Sequence, residues 1–129
     1  MNEKQLYLPV ILGTSRQGRK SEHVANFLLS EMKKRPEIET EIIDLRTLKM
    51  TLQDAGPTMR DPAFEEKMMR ADGLAIVVPE YNHSFPGLLK HALDSNLEEY
   101  IHKAAGICGV SAGAFGGARV IEHLLPVPR

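Results

Sequence analysis

Residues 74–87 read LAIVVPEYNHSFPG, five apolar residues followed by a polar loop that lies between two prolines. A short, uniformly apolar run is typical of a strand that is covered on both faces, as the strands of a parallel sheet are. Pro86 then opens a helix that extends to about Ser95, with leucines at helical spacing. This stretch therefore predicts a buried strand, a loop at its carboxyl end and a helix that returns across the sheet.

Three more strand–helix units lie on either side of this one, and each pairs a short apolar run with a segment of helical periodicity. The predicted strands are Tyr7–Leu12, Thr40–Leu45 and Ala105–Val110, and the predicted helices are residues 21–35, 61–71 and 118–125. Ser21 and Asp61 are the expected N-caps. Pro9 is unfavourable inside a central strand because it donates no ladder hydrogen bond. The βαβαβαβα order predicts a single α/β domain over residues 1–129, built on a parallel sheet with helices on both faces.

Composition excludes several classes of function. Lys plus Arg number 16 and Asp plus Glu 17, and a net charge of −1 argues against non-specific nucleic-acid binding. No apolar run approaches the roughly 18 residues of a membrane span, and the N-terminus lacks a signal peptide's pattern. The histidines show no metal-ligand spacing. The single cysteine, Cys108, excludes a disulfide framework and is expected to be a buried structural thiol. We therefore expect a cytoplasmic protein without nucleic-acid or membrane partners.

Polar loops follow three of the predicted strands, at the end of a parallel sheet where ligands bind. They are residues 13–21, 79–86 and 111–117. The first loop, GTSRQGRKS, precedes a helix and carries Arg16, Arg19 and Lys20. Because free N–H groups at a helix N-terminus favour anions, this loop predicts a phosphate site. Its glycines do not fit the dinucleotide fingerprint, and one extra residue separates it from the P-loop pattern.

The third loop contains Gly109-Val110-Ser111-Ala112-Gly113, which matches the G-x-S-x-G nucleophile elbow of α/β-hydrolases. A hydrolase of that type needs an acid and then a histidine after the serine. Only Glu122 and His123 follow, adjacent on one short helix, and they cannot form a triad with Ser111. The glycines are better explained by the close approach of backbone to a ligand, with Ser111 contributing a hydrogen bond.

Taken together, three runs resemble the NADPH-dependent FMN reductase family, in order from about Tyr7 to Leu125. They are Gly13–Arg16 with Ser21, Pro79–Asn82, and Gly109–Gly113 with Gly116-Gly117. The resemblance implies a flavodoxin-like three-layer α/β/α sandwich whose parallel sheet has the strand order 2-1-3-4. It also implies that the fifth strand and its helix are missing at the C-terminus. Strand four is then an exposed edge, which a homodimer or homotetramer would cover.

The resemblance also implies cofactors and site residues. The FMN phosphate would be held by Ser15, Arg16 and Ser21, the ring lined by Pro79, Glu80, Tyr81 and Asn82, and its other edge bordered by Ser111 and Gly113. Hydride would pass from NADPH or NADH to FMN and on to a flavin, quinone, azo or metal-ion acceptor. No catalytic side chain is expected, because the flavin carries the chemistry. Arg19 and Lys20 would attract the NADPH 2′-phosphate. Two alternatives stay open: a non-enzymatic electron carrier of flavodoxin type and a flavin-free regulatory or remnant domain.

Overall fold

A computed structural model describes residues 4–52 and 56–128 of the protein. Its strands are β1 (Leu6–Tyr7), β2 (Val10–Leu12), β3 (Ile38–Glu39), β4 (Ile42–Asp44), β5 (Gly73–Pro79) and β6 (Ala104–Val110). Its α-helices are α1 (Ser21–Met32), α2 (Pro62–Arg70), α3 (Gly87–Asp94) and α4 (Ala118–Leu124). Short 3-10 turns occupy Leu45–Thr47, Gly56–Met59 and Glu98–Tyr100. The sequence predicts an irregular segment over 46–60, and residues 53–55 of it lie outside the described residues.

The main sheet has four parallel strands in the order β4-β2-β5-β6. These are the predicted second, first, third and fourth strands, so the expected 2-1-3-4 order is confirmed for the main sheet. The register pairs Val10 with Ile42 on one side and with Ala75 on the other. Parallel pairing throughout brings the carboxyl ends of the strands to one edge of the sheet, where the polar loops begin.

The predicted first strand appears in two pieces, β1 and β2. The predicted second strand corresponds to β4, and the short strand β3 precedes it. Between β1 and β2, Pro9 has no N–H to donate, but its carbonyl still accepts from Ala75 N at 3.0 Å. Backbone bonds continue across the break, from Leu8 N to Glu39 O at 2.9 Å and from Val10 N to Glu41 O at 2.8 Å. The proline therefore costs one ladder bond and leaves the central strand in place.

Helices cover both faces of the sheet, so the three-layer arrangement is confirmed. Successive residues of a strand point to opposite faces, and neighbours along β2 and β5 therefore enter different apolar clusters. One cluster contains Val10, Leu12 and Val77 packed against α1. The other contains Ile11, Ile76 and Val78 packed against α2, α3 and α4, which contribute Phe64, Leu89 and Leu124.

The helix starts follow the sequence in one case and depart from it in another. Asp61 is the N-cap of α2, where its Oδ1 accepts from Phe64 N at 2.9 Å, as predicted. Burial raises the pKa of the Asp61 carboxyl, but hydrogen bonds from backbone N–H groups outweigh burial and lower it overall. The prediction that Ser21 caps α1 is wrong: Lys20 holds the N-cap position, and Ser21 is the first helical residue. Helix α1 also ends earlier than predicted, because Lys34 and Arg35 donate only three residues back and tighten the chain into a turn.

Strand β6 lies at an edge of the four-stranded sheet and pairs with β5 within the described part of the chain. Gly106 and Ala104 in this strand are exposed, as expected for an uncovered edge. Cys108, predicted to be buried, is a free thiol that is only partly buried, because β6 has a neighbour on one side. None of the described helices has the length and apolar character that a membrane span requires.

Candidate active-site cleft

The carboxyl ends of β2, β5 and β6 converge on a cleft of about 300 Å³. Eleven residues line it: Arg16, Gly18, Arg19, Lys20, Ser21, Pro79, Glu80, Tyr81, Val110, Ser111 and Ala112. Pro79 and Val110 are paired in register at the ends of their strands, which fixes two of the loops side by side. The cleft thus includes six of the nine residues that are predicted from the sequence to bind the cofactor. Ser15, Asn82 and Gly113 lie outside its lining.

Arg19 in the first loop is a structural residue. Its side chain is 2% exposed, and its guanidinium makes two hydrogen bonds with the Asp44 carboxylate, at 2.8 and 2.5 Å. A third bond runs from Arg19 Nη1 to Thr14 O at 2.6 Å. Arg19 lowers the pKa of the Asp44 carboxyl, because its hydrogen bonds favour the ionised form. With both donor edges engaged, Arg19 does not fit the expected role of attracting the NADPH 2′-phosphate.

The backbone of the first loop is held from outside by Arg46. Its Nε donates to Ser15 O at 2.8 Å, and its Nη2 donates to Arg16 O. Ser15 is exposed and takes part in this contact through its carbonyl. Neither Arg46 nor Asp44 stands out in the sequence. Asp44 ends β4 and Arg46 follows it, and both meet the first loop only through the β2–β4 pairing.

Ser21 contributes a buried hydroxyl at the N-terminus of α1, a helix of 12 residues. The residue is 2% exposed, and its Oγ has no hydrogen-bond partner. The exposed cation Lys20 precedes it. A buried, unpartnered donor beside free helix N–H groups is the arrangement that an anion such as phosphate would satisfy.

The second loop is a tight hairpin turn. Tyr81 and Ser84 exchange backbone hydrogen bonds of 2.9 and 3.0 Å around Asn82 (φ 51°) and His83 (φ 65°). Positive φ at two consecutive residues is typical of a type I′ turn, and residues other than glycine adopt it at a cost in strain. The turn places Asn82 and His83 at an exposed tip, so Asn82 does not reach the cleft through its side chain.

Tyr81 is fixed by contacts with the first loop. Its hydroxyl lies 2.9 Å from Thr14 Oγ1, and the Arg16 guanidinium lies over its ring, 3.9 Å from the centroid. Thr14 is itself buried, and its Oγ1 accepts from Arg16 N at 3.3 Å. These contacts connect the two loops, so the positions of Arg16 and Tyr81 depend on each other.

Glu80 brings a carboxylate to the cleft wall. Its N–H donates to Val110 O at 2.9 Å, and its side chain is only 10% exposed. Arg119 Nη1 and His83 Nδ1 each lie 3.9 Å from Glu80 Oε1, while Glu80 Oε2 is buried without a partner. No sequence pattern points to Arg119, because it stands on α4, 39 positions after Glu80.

The third loop is shaped by close backbone contact. A Cβ at Gly109 would lie 2.6 Å from Gly117 O, and Gly117 has φ +89°, so the start of α4 packs directly on β6. Ser111 Oγ accepts from Gly113 N at 3.1 Å, and Gly113 is exposed beyond the cleft. Glu122 and His123 are exposed on α4. The geometry supports the steric explanation of the glycines over a nucleophile elbow.

Metal chemistry has no donor set in the part of the chain that the structure describes. Within residues 4–52 and 56–128, no group of three or more His, Cys, Asp or Glu side chains could hold a metal ion. The cleft instead offers a buried hydroxyl, cations, an aromatic ring and exposed backbone, which together suit an anionic ligand with a flat ring.

Comparison with known proteins agrees with this geometry. Residues 7–128 match the family model of NADPH-dependent FMN reductases. A 2-hydroxy-1,4-benzoquinone reductase of Burkholderia sp is 32% identical, with 92% of this chain and 68% of that protein covered. An NAD(P)H-dependent FMN reductase of Pseudomonas aeruginosa is 35% identical, over 69% of this chain and 52% of the relative. The chain thus spans half to two thirds of the length of these relatives.

A solved structure shares the fold. The flavoenzyme NAD(P)H:(acceptor) oxidoreductase of Paracoccus denitrificans superimposes with a TM-score of 0.70 at 22% identity, covering 92% of this chain and 68% of that one.

Proposed function

Because the chain belongs to the NADPH-dependent FMN reductase family, we propose that it binds FMN in the cleft and reduces small molecules with NADPH or NADH. Hydride would pass from the nicotinamide to the flavin, and electrons would then pass to the acceptor. We further propose that residues 1–129 act as one flavin-binding domain. The observation that carries the proposal is the buried, unpartnered hydroxyl of Ser21 at the N-terminus of α1, inside the cleft.

The residues present fit the phosphate of FMN. Ser21 Oγ would donate to a phosphate oxygen, and the free N–H groups of the first turn of α1 would complete the site. Arg16 and Lys20 supply positive charge at the same wall of the cleft. We propose Ser15 as a further phosphate contact, on a stretch of loop backbone that Arg46 holds through the Ser15 carbonyl.

The opposite wall suits the isoalloxazine ring. Pro79 ends β5 and is paired with Val110, which Ser111 follows directly. The hairpin turn holds Tyr81 and Asn82 in a fixed backbone conformation. Rigid backbone of this kind can present N–H and C=O groups to a heterocycle without further loss of conformational entropy. Gly113 would border the ring's other edge with Ser111. When bound, FMN supplies the hydride and electron chemistry, and the protein's residues bind and orient it.

A quinone is the acceptor class that we favour. The Burkholderia relative at 32% identity is named for a benzoquinone, a flat ring of the size that can stack on an exposed flavin face. Flavin, azo and metal-ion acceptors remain within the same proposal, because an open ring face discriminates little among flat or small acceptors. The Pseudomonas relative is named for FMN itself.

The test is anaerobic mixing of the FMN-loaded protein with NADPH or NADH. We expect the visible flavin absorbance to bleach and to return when a benzoquinone is added. A protein that binds FMN but does not bleach would be an electron carrier of flavodoxin type. If the flavin fluorescence is not quenched when FMN is titrated with the protein, the protein is a flavin-free domain. Family membership disfavours both, since its named relatives are reductases.

We also propose a homodimer or homotetramer in a reducing compartment such as the cytoplasm. The exposed edge of β6 supports association, because an unpaired apolar edge is a template for pairing unless it is covered. The free thiol of Cys108 suits a compartment in which disulfides do not persist.

A further inference from the structure

Glu80 is the one acidic residue among those that line the cleft. A buried carboxylate is expensive unless its oxygens are hydrogen-bonded or paired with a cation. Glu80 is nine-tenths buried, and its Oε2 has neither kind of partner. It lines the same cleft as Tyr81 and Ser111. The charge of a carboxylate that lines the cleft is therefore only partly compensated within the protein.

Arg119 compensates this charge only in part. Its Nη1 lies 3.9 Å from Glu80 Oε1, which is too long for a hydrogen bond but close enough for an ion pair. The same Nη1 lies 2.7 Å from His83 Nδ1. Because a guanidinium can only donate, His83 Nδ1 accepts, and the histidine brings no proton to that nitrogen. The cation that faces Glu80 is therefore Arg119, which lies near Oε1, while Oε2 has no hydrogen-bond partner.

Arg119 contacts side chains that do not line the cleft. Its guanidinium lies over the Phe115 ring, 4.5 Å from the centroid, and Arg119 is the second residue of α4, whose N-cap is Gly117. His83, at the tip of the hairpin turn, contacts Arg119 through its side chain. The packing of α4 on β6 thus places Arg119 opposite Glu80.

We propose that Glu80 and Arg119 form an opposed charge pair that sets the reduction potential of the flavin in this cleft. The inference rests on the proposed function, since it concerns bound FMN. Reduction adds electron density to the ring system, so a fixed negative charge beside the ring opposes it and a positive charge favours it. Glu80 then lowers the potential, which makes the reduced cofactor a stronger donor, and Arg119 limits that effect.

The experiment is an anaerobic redox titration of the FMN-loaded full chain against a reference dye. We expect Glu80→Gln, which keeps the shape and removes the charge, to bind reduced FMN about 10-fold more tightly relative to oxidised FMN. For a two-electron couple this raises the potential by about 30 mV. Arg119→Met should change the potential in the opposite direction, and Arg119→Lys, which retains the charge, should stay near the wild type. Glu122→Gln removes a carboxylate from the exposed face of α4 and should leave the potential unchanged.

Each outcome decides the inference. An unchanged or lowered potential in Glu80→Gln would overturn it, as would an equal shift in Glu122→Gln. If Glu80→Gln fails to fold, Arg119→Met carries the test, because the Arg119 side chain is 44% exposed and its removal leaves no cavity. A wild-type protein that takes up no FMN overturns the proposed function itself, which distinguishes that failure from a failure of the charge pair.

Discussion

Arg16 and Arg19 stand three positions apart in one loop, yet their guanidinium groups have opposite surroundings. Arg16 is exposed and lies over the Tyr81 ring, whereas Arg19 is buried against Asp44. The sequence places three cations in this loop but does not separate them, because Asp44 comes from β4 and reaches Arg19 only in the folded sheet. Arg16 and Lys20 are therefore the cations of this loop that we expect to meet a phosphate.

The Ser21→Ala substitution tests the phosphate site. Because Ser21 Oγ has no partner within the protein, its removal should leave the free energy of unfolding of the FMN-free protein unchanged or slightly higher. The dissociation constant for FMN should rise about 10-fold, which is the loss of one hydrogen bond to a charged group. Quenching of flavin fluorescence measures it.

Ser30→Ala is the matched control for Ser21→Ala. Ser30 lies on the same helix, is exposed, and its Oγ donates to Phe27 O at 2.7 Å. FMN affinity should be unaffected by Ser30→Ala. Equal FMN affinity in Ser21→Ala and the wild type would contradict the phosphate site.

The Asp44→Asn substitution tests the anchor of the first loop. The pKa of Asp44 is lower in the folded protein than in the unfolded chain, mainly because of the Arg19 hydrogen bonds. The ionised Asp44 therefore stabilises the fold fully above the unfolded pKa. This stabilisation is lost as the pH falls through the folded pKa. We expect the variant to lose about 2 kcal/mol at pH 7, since the buried Arg19 charge then keeps only its contact with Glu22, at 3.3 Å, as an ion pair. The difference from the wild type should shrink below about pH 4. Urea unfolding at several pH values measures it.

Asp94→Asn is the control for Asp44→Asn. Asp94 pairs with Lys90 at 2.6 Å, but both side chains are largely exposed, and such pairs contribute little. Its effect should stay below about 0.5 kcal/mol. A constant difference between Asp44→Asn and the wild type from pH 7 to pH 3 would refute the ionic basis of the anchor.

At the scale of elements, the contact between β6 and α4 determines the third wall of the cleft. Gly109 in the strand and Gly117 before the helix touch backbone to backbone, and Gly117 has positive φ. The sequence shows the glycines and suggests close approach, but it equally matches the hydrolase pattern around Ser111. What distinguishes the two is the position of α4, which presents Arg119 to Glu80 and leaves Glu122 and His123 exposed.

Gly109→Ala tests this contact, with Gly106→Ala as its control in the same strand. A Cβ at Gly109 would lie 2.6 Å from Gly117 O, so α4 must move away from β6, and we expect a loss of about 2–3 kcal/mol in the free energy of unfolding. A Cβ at Gly106 meets nothing within 4 Å, so Gly106→Ala should be neutral or stabilising by about 0.5 kcal/mol. Thermal unfolding compares them, and similar melting temperatures would exclude the close contact.

Strand and helix types were predictable from periodicity, while several boundaries were not. The buried run at 74–78 is β5 with one more residue at each end. Pro9 was expected to disturb a central strand, and it removes one bond without displacing it, because the carbonyl side of the ladder continues. The N-cap prediction failed at Ser21 because the first loop turns one residue earlier, which buries the hydroxyl in the cleft.

At the scale of the whole molecule, the two faces of the sheet are covered unequally. Helices α2, α3 and α4 pack on one face, and α1 is the described helix that packs on the other. Beside α1, an apolar depression of about 340 Å³ is open near the amino ends of β5 and β6 and is lined by residues such as Leu6, Ala75 and Ala104. Open apolar surface beside an unpaired strand edge favours association with another chain.

Ala104→Glu tests this expectation. We expect the wild-type protein to sediment as a dimer or tetramer and Ala104→Glu, which places a charge in the depression, to shift to the monomer. Ala63→Glu introduces the same side chain at an exposed position in the first turn of α2, where a carboxylate is favourable, and should not change the sedimentation coefficient. A monomeric wild type, or an Ala104→Glu variant that remains associated, would contradict the prediction.

By itself, the sequence determined the order of the elements, the parallel sheet and the three loops at its carboxyl edge, because periodicity and turn residues are local properties. It also determined the resemblance on which the flavin proposal rests. Only the tertiary structure decided which cation is buried, which hydroxyl is left without a partner, and which side chain faces Glu80. Those properties depend on residues far apart in the chain, such as Asp44 and Arg119, which sheet pairing and helix packing bring to the cleft.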